Sequence, residues 1–156
     1  MVSSPLADVA SEQNLTTRAV PSSCAQTVTP ACLQAMYGIP TTSATQSSNV
    51  LGVSGFIEQF ANQADLQTFL RNLRPDLVGT TFSLQTLDGG QNPQDSNQAG
   101  VEANLDIQYT VGVASGVPTT FISVGERFQD GALEGFLDII NLLLSESNPP
   151  HVLTTR

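Results

Sequence analysis

Along the chain, stretches with apolar residues at helical spacing alternate with short apolar runs bounded by turn residues. The first helix is short: Thr29 offers an N-cap, Pro30 suits the first helical turn and Gly38 ends it. A Ser/Thr linker, Thr41 to Ser48, leads to Asn49–Phe56, a short apolar run that suits a buried strand. From Asn62 to Leu73, the side chains of Leu66, Phe69, Leu70 and Leu73 share one helical face, and Pro75 stops the helix. Thr80–Leu87 reads as a second strand with Phe82, Leu84 and Leu87 in loose alternation. A polar loop, Asp88 to Gln98, enters a helix over Gly100–Gly112, with Ser96 or Asn97 as candidate caps. Pro118–Val124 is the third strand, Gly131–Ser147 the fourth helix, and His151–Thr155 begins a last strand. This alternation predicts an α/β fold, a parallel sheet with right-handed crossovers and helices on both faces. No internal repeat is present, and residues 1–22, rich in Ser, Thr, Ala and Pro, read as a flexible leader to a domain over 23–156.

The third helix holds the chemistry. Glu102 and Asp106 are four residues apart, so they fall within about 40° of each other on one side of the helix. On the wheel they share an arc of about 140° with Val101, Leu105, Tyr109, Gly112 and Val113, which predicts that the pair projects with the apolar side chains. Carboxylates turned from water are costly and imply a use. Glu134 and Asp138 have the same spacing but lie opposite the arc of Ala132, Leu133, Phe136, Leu137, Ile139, Ile140, Leu143 and Leu144, and read as a solvated face. Two acids within hydrogen-bonding range titrate as a unit, which suits Glu102 to general acid or base work at mildly acid pH with Asp106 holding it. In a parallel sheet ligands bind beyond the carboxyl ends of strands, where the Asp88–Gln98 loop and the first turn of this helix fall.

Composition narrows the classes. Five Arg, no Lys and fourteen Asp plus Glu in 156 residues give a net charge of −9, which excludes a phosphate-neutralising stripe for nucleic acid and disfavours an anionic membrane surface. Two cysteines and one histidine cannot build an ordinary four-ligand zinc site, so Cys24 and Cys32 are expected as a local disulfide in an oxidising compartment. Asn14-Leu15-Thr16 is a glycosylation sequon. No basic stretch followed by an apolar one begins at Met1, so an exported form is expected to derive from a longer precursor. His151 reads as structural, Glu58 and Glu126 read as surface residues, and no Gly-x-Ser-x-Gly elbow occurs.

The run G-V-E-A-N-L-D-I-Q-Y resembles the signature helix of the sedolisins, the serine-carboxyl peptidases that include fungal tripeptidyl peptidases. The segments C-A-Q-T-V-T-P-A-C-L-Q-A-M-Y-G-I-P, L-D-G-G-Q-N, P-T-T-F-I-S-V-G and D-G-A-L-E-G-F-L are similar to fungal members in the same order, over roughly residues 21 to 155. The resemblance implies a subtilisin-like three-layer fold, with Glu102 as the general base for a serine, Asp106 orienting it, and Asp88, Gly89 and Gly90 in a substrate-facing loop. It places the serine, the oxyanion aspartate and a calcium site beyond residue 156, and Met1 within propeptide and linker. The expectation is therefore an N-terminal part of a catalytic domain, without cofactor and inactive alone, from an extracellular or vacuolar, lysosome-like setting. Its partner would be a missing C-terminal half. The alternative is a secreted, non-catalytic interaction protein that reuses the half-domain as a homodimer, and a peptide ligand is open to either reading.

Overall fold

A computed structural model describes residues 20–155; the Asn14 sequon and most of the expected leader lie outside them. The described elements are α1 (Pro30–Tyr37), β1 (Leu51–Gly55), α2 (Gln63–Leu73), β2 (Ser83–Leu87), α3 (Val101–Val113), β3 (Thr119–Val124), α4 (Phe136–Ser145) and β4 (Val152–Thr154). The strands form a parallel sheet in the order β2-β3-β1-β4. Phe121 and Val53 face one core with Leu66 and Leu70 of α2 and Ala103, Ile107 and Val111 of α3. Ile122 and Val124 face the other way, onto Ile139 of α4. Strand side chains alternate between faces, so α2 and α3 cover one side and α4 the other. The result is a three-layer α/β fold of the subtilisin-like kind.

That layering corrects the expected handedness. The chain moves from β1 across two positions to β2 with α2 on one face, then returns one position to β3 with α3 on the same face. It continues in that return direction to β4 with α4 on the opposite face. Reversing direction while keeping the face reverses the hand, so the crossover through α3 is opposite to the other two. Since right-handed crossovers dominate overwhelmingly, α3 occupies the left-handed one.

Local signals set most of the boundaries. Thr29 caps α1 through Cys32 N at 3.2 Å, and Gly38 ends it at φ 65, a left-handed backbone that glycine adopts freely. Asn62 caps α2 through Asp65 N at 3.0 Å. Two expectations fail at α3 and α4. Ser96 and Asn97 do not cap α3: Gly100 is its N-cap and offers no side chain. The expected helix Gly131–Ser147 is a 3₁₀ turn, Gly131–Leu133, followed by α4 from Phe136. Glu134 sits between them at φ 55, so it shares no helical face with Asp138. In β2 Leu84 is exposed, whereas Phe82, just before the strand, is buried against Phe121.

A short N-terminal arm braces the outer side of α3. Cys24 and Cys32 form a disulfide that ties the 3₁₀ turn Ser22–Ala25 to α1. Tyr109 donates its hydroxyl to Val28 O at 2.6 Å, and Gln34 Nε2 donates to Val113 O at 3.0 Å. The far end of α3 is held by the buried Arg74, which donates to Gly112 O and to Ser115 Oγ and forms a fork with Asp76.

Candidate functional site

Building outward from β1, the strand ends at Gly55, where a Cβ would collide with the Phe121 ring. The chain then passes through two consecutive non-glycine residues in the left-handed region, Ile57 at φ 54 and Glu58 at φ 53. A β-branched residue there is uncommon, and such strain persists where the surroundings over-determine it. The surroundings here are the start of α3. Gly100 N donates to Phe60 O at 2.9 Å, Phe60 pairs with Ala99 in a parallel bridge, and Glu102 N donates to Gln59 Oε1 at 3.3 Å. Gln59 therefore provides the cap that Gly100 lacks. A Cβ at residue 100 would strike the Gln59 amide, so glycine permits the approach.

This arrangement sets Glu102 and Asp106, both half-buried, on the wall of a cavity of about 280 Å³. Ser54, Gly55, Phe56, Ile57, Gln59 and Ala103 complete the lining. The cavity lies at the carboxyl end of β1 and the first turns of α3, where parallel sheets place ligands. The expected arc of α3 is corrected in the process. Val101 is 85% exposed and Leu105 45%, while Ala103, Ile107 and Val111 are buried. The carboxylates thus flank the core face and look into a cleft; they do not project into the core with Val101 and Leu105. Ser54 pairs with Ile122, so its side chain lies on the α4 side of the sheet, where its Oγ donates to Thr154 O at 3.4 Å.

Asp88, Gly89 and Gly90 do not line that cavity. They line a second one of about 370 Å³ beyond β2 and β3, with Ser123, Gly125 and Arg127. Glu58 and Glu126, expected as surface residues, are exposed and rim this second cavity. The loops fit closely: Gly125 N and Gly90 N both donate to Leu87 O, at 2.9 and 2.8 Å, and Ser123 Oγ donates to Gln91 O at 2.6 Å. Beyond Gly90, carboxamides fasten the loop to the start of α2. Asn92 pairs with both Ala61 N and Ala61 O at 2.9 Å, and Asn62 Nδ2 donates to Gln94 O at 2.9 Å. Asn104 of α3 joins them, accepting from Asn62 N and donating to Asp65 Oδ2, each at 2.8 Å. Sequence reading missed Gln59, Asn92 and Asn104 as positioning groups; the crowding of Asn and Gln between residues 59 and 104 was the available signal.

Asp88 itself is held above the ordinary carboxylate range by burial first, then by the charge of Asp138, a contact with that carboxylate, and the charge of Asp130. His151 engages the fold through its backbone, donating its N–H to Val50 O at 2.9 Å. Among the described residues, no group of three or more His, Cys, Asp or Glu side chains is arranged to hold a metal ion, and no helix is long and apolar enough to cross a membrane.

The parallel sheet, the layers on both faces and the acid-lined cleft define an α/β protein of the subtilisin-like class. Comparison with known proteins sharpens this, although no family model matches the chain. It is 36% identical over 127 residues to the probable tripeptidyl-peptidase SED4 of Trichophyton verrucosum, covering 81% of this chain and 20% of the relative. It is 38% identical over 107 residues to the probable tripeptidyl-peptidase SED2 of Arthroderma benhamiae, covering 68% and 18%. Against the tripeptidyl-peptidase SED3 of Arthroderma otae it is 35% identical over 146 residues, covering 85% and 24%. These fungal tripeptidyl-peptidases are sedolisins, and the chain is sedolisin-like over most of its length. It spans about a fifth of the length of the relatives it matches.

Proposed function

We propose that the chain supplies the carboxylate part of a serine-carboxyl peptidase centre of tripeptidyl-peptidase type. The observation that carries this is the placing of Glu102 and Asp106 together on the wall of one cleft at the carboxyl edge of the sheet. Glu102 is the general base that takes the proton of an attacking serine hydroxyl, and Asp106 keeps its carboxylate oriented. Asp88, Gly89 and Gly90 receive part of an extended peptide in the neighbouring cavity. The nucleophile and the oxyanion donor come from polypeptide outside these 156 residues, since the 156 residues contain no Gly-Thr-Ser-Ala run of the family type. Ser54 does not substitute, being 3% exposed and already bonded to Thr154 O. By itself the chain therefore does not hydrolyse peptides, because members of such a set act as a unit. No cofactor enters this scheme. The disulfide supports an extracellular or vacuolar, lysosome-like setting.

The test is an assay of the isolated chain on peptide substrates at acid pH. No turnover above background is expected. Turnover that disappears in Glu102→Gln would show that the chain holds its own nucleophile and would overturn the reading.

A second reading, a non-catalytic interaction module, draws on the outer face of α4. Leu137 is 43% exposed, Ile140 37% and Leu144 80%, an apolar stripe at three- and four-residue spacing. It lies on the same side of the sheet as Leu153 of β4, a strand that among the described residues pairs only with β1. Unpaired edges and uncovered apolar faces favour association. A homodimer in sedimentation that reverts to monomer in Leu144→Lys supports this module; a strict monomer at high concentration counts against it.

A further inference from the structure

The loop leaving β2 carries a carboxyl oxygen that no donor among the described residues reaches. Asp88 Oδ2 is shielded from solvent and has no hydrogen-bond partner among the described residues, and the residue itself sits at φ 54. Close beside it is the turn into α4 at Gly135, whose φ of 89 and lack of a Cβ let the backbone approach Val124 and which borders Asp88 Oδ2 at ordinary contact distance. Asp138 of that turn accepts from Gln129 N at 3.1 Å through Oδ2. Asp130, from the segment before α4, accepts from Gly135 N at 2.7 Å and Leu137 N at 2.8 Å. On the β3 side, Arg127 N donates to Asp88 O at 3.0 Å, and the Arg127 side chain packs over Gly89. Glu126 and, from the β1 loop, Glu58 line the same cavity. Asp130 and Asp138 thus have backbone donors, whereas the buried oxygen of Asp88 has none. A carboxylate cannot donate to another carboxylate unless a proton lies between them.

We propose that a proton shared between Asp88 and Asp138 latches the Asp88–Gly90 loop onto the first turn of α4, holding the cavity beyond β2 and β3 in shape on the acid side and releasing it as the proton leaves. The N-terminal end of α4 favours negative charge on the carboxylates around its first turn, so Asp88, off the helix, is the one that takes the proton. The direction follows from the linkage. Burial and the neighbouring acids raise Asp88 above 3.8 in the folded chain. A proton held more tightly in the folded than in the unfolded state stabilises fully below about 3.8, and that contribution is lost as pH rises through the folded value. The latch is therefore closed in acid and open at neutral pH. It does not depend on the role given to Glu102.

Carboxyl-carbon NMR of the whole chain across pH tests this. Asp88 is expected to titrate above 3.8, with the Gly89 and Gly90 amide resonances stepping at the same midpoint. In Asp138→Asn the Asp88 midpoint moves toward 3.8. Asp88→Asn tolerates this backbone and carries an amide donor, so its Gly89 and Gly90 amides should show acid-like exchange protection at every pH. An Asp88 midpoint at or below 3.8, or one unmoved in Asp138→Asn, or glycine amides with no step, overturns the proposal. The wild-type titration decides it even if a variant fails to fold.

Discussion

Gly100 and Gln59 show how one pair of residues fixes where Glu102 begins its helix. Because Gln59 Oε1 accepts from Glu102 N and its amide fills the space a Cβ at residue 100 would need, Gly100→Ala forces the two apart. Thermal or urea unfolding should record a loss of about 1–3 kcal/mol, the usual cost of overpacking a close contact. Gln59→Ala should cost about 1 kcal/mol, the loss of one cap. If both variants unfold like the wild type, this contact does not position the helix. Arg74 raises a different matter, since it is 7% exposed and satisfied by Gly112 O, Ser115 and Asp76. The hydrogen bond from Arg74 lowers Asp76 below 3.8. A lowered carboxylate stabilises above its unfolded value and loses that contribution as pH falls through the folded one. Asp76 is largely exposed, so the effect is small. Unfolding midpoints measured below pH 4 should fall less steeply in Asp76→Asn than in the wild type.

At the scale of elements, α3 separates what the sequence reveals from what it hides. Its type and approximate span were legible, and so were the Thr29 cap and the core residues Leu66 and Leu70, because each of those signals is local. Its buried face was not, because the helix carries two apolar stripes: Val101, Leu105 and Tyr109 on one side and Ala103, Ile107 and Val111 on the other. Periodicity cannot choose between them; packing against Phe121 and α2 does. The consequence is measurable. Ile107→Ala should cost about 2–5 kcal/mol, whereas Val101→Ala should stay within about 0.5 kcal/mol. The reverse order in denaturant unfolding would restore the expected arc. The Gln59 cap, 43 residues from Glu102 in sequence, and the reversed crossover were equally hidden, since both are set by strands distant in the chain. The N-terminal arm adds a covalent brace: Cys24→Ser with Cys32→Ser should cost about 2–3 kcal/mol and speed hydrogen exchange at Val113, next to the Gln34 bond. Unchanged exchange there would mean that the arm does not support α3.

For the whole molecule, strand order and layering place the ends of β1, β2 and β3 on one edge, and both cavities open there. The strand-helix alternation of the sequence marks this edge, together with the Asp88 loop and the Glu102 helix that border it. The division into two cavities was not announced, because the strained Ile57-Glu58 turn that lies between them carries no glycine to mark it. The chain matches about a fifth of much longer tripeptidyl-peptidases, and the proposed centre needs further polypeptide to complete it. Complementation tests that most directly. This chain and a separately produced polypeptide carrying the remainder of the Trichophyton verrucosum relative are mixed and assayed on a tripeptide-releasing substrate at acid pH. The prediction is turnover in the mixture, absent from either component alone, that falls by at least about a hundredfold in Glu102→Gln, in line with loss of a general base. Mixed turnover that Glu102→Gln leaves unchanged would contradict it.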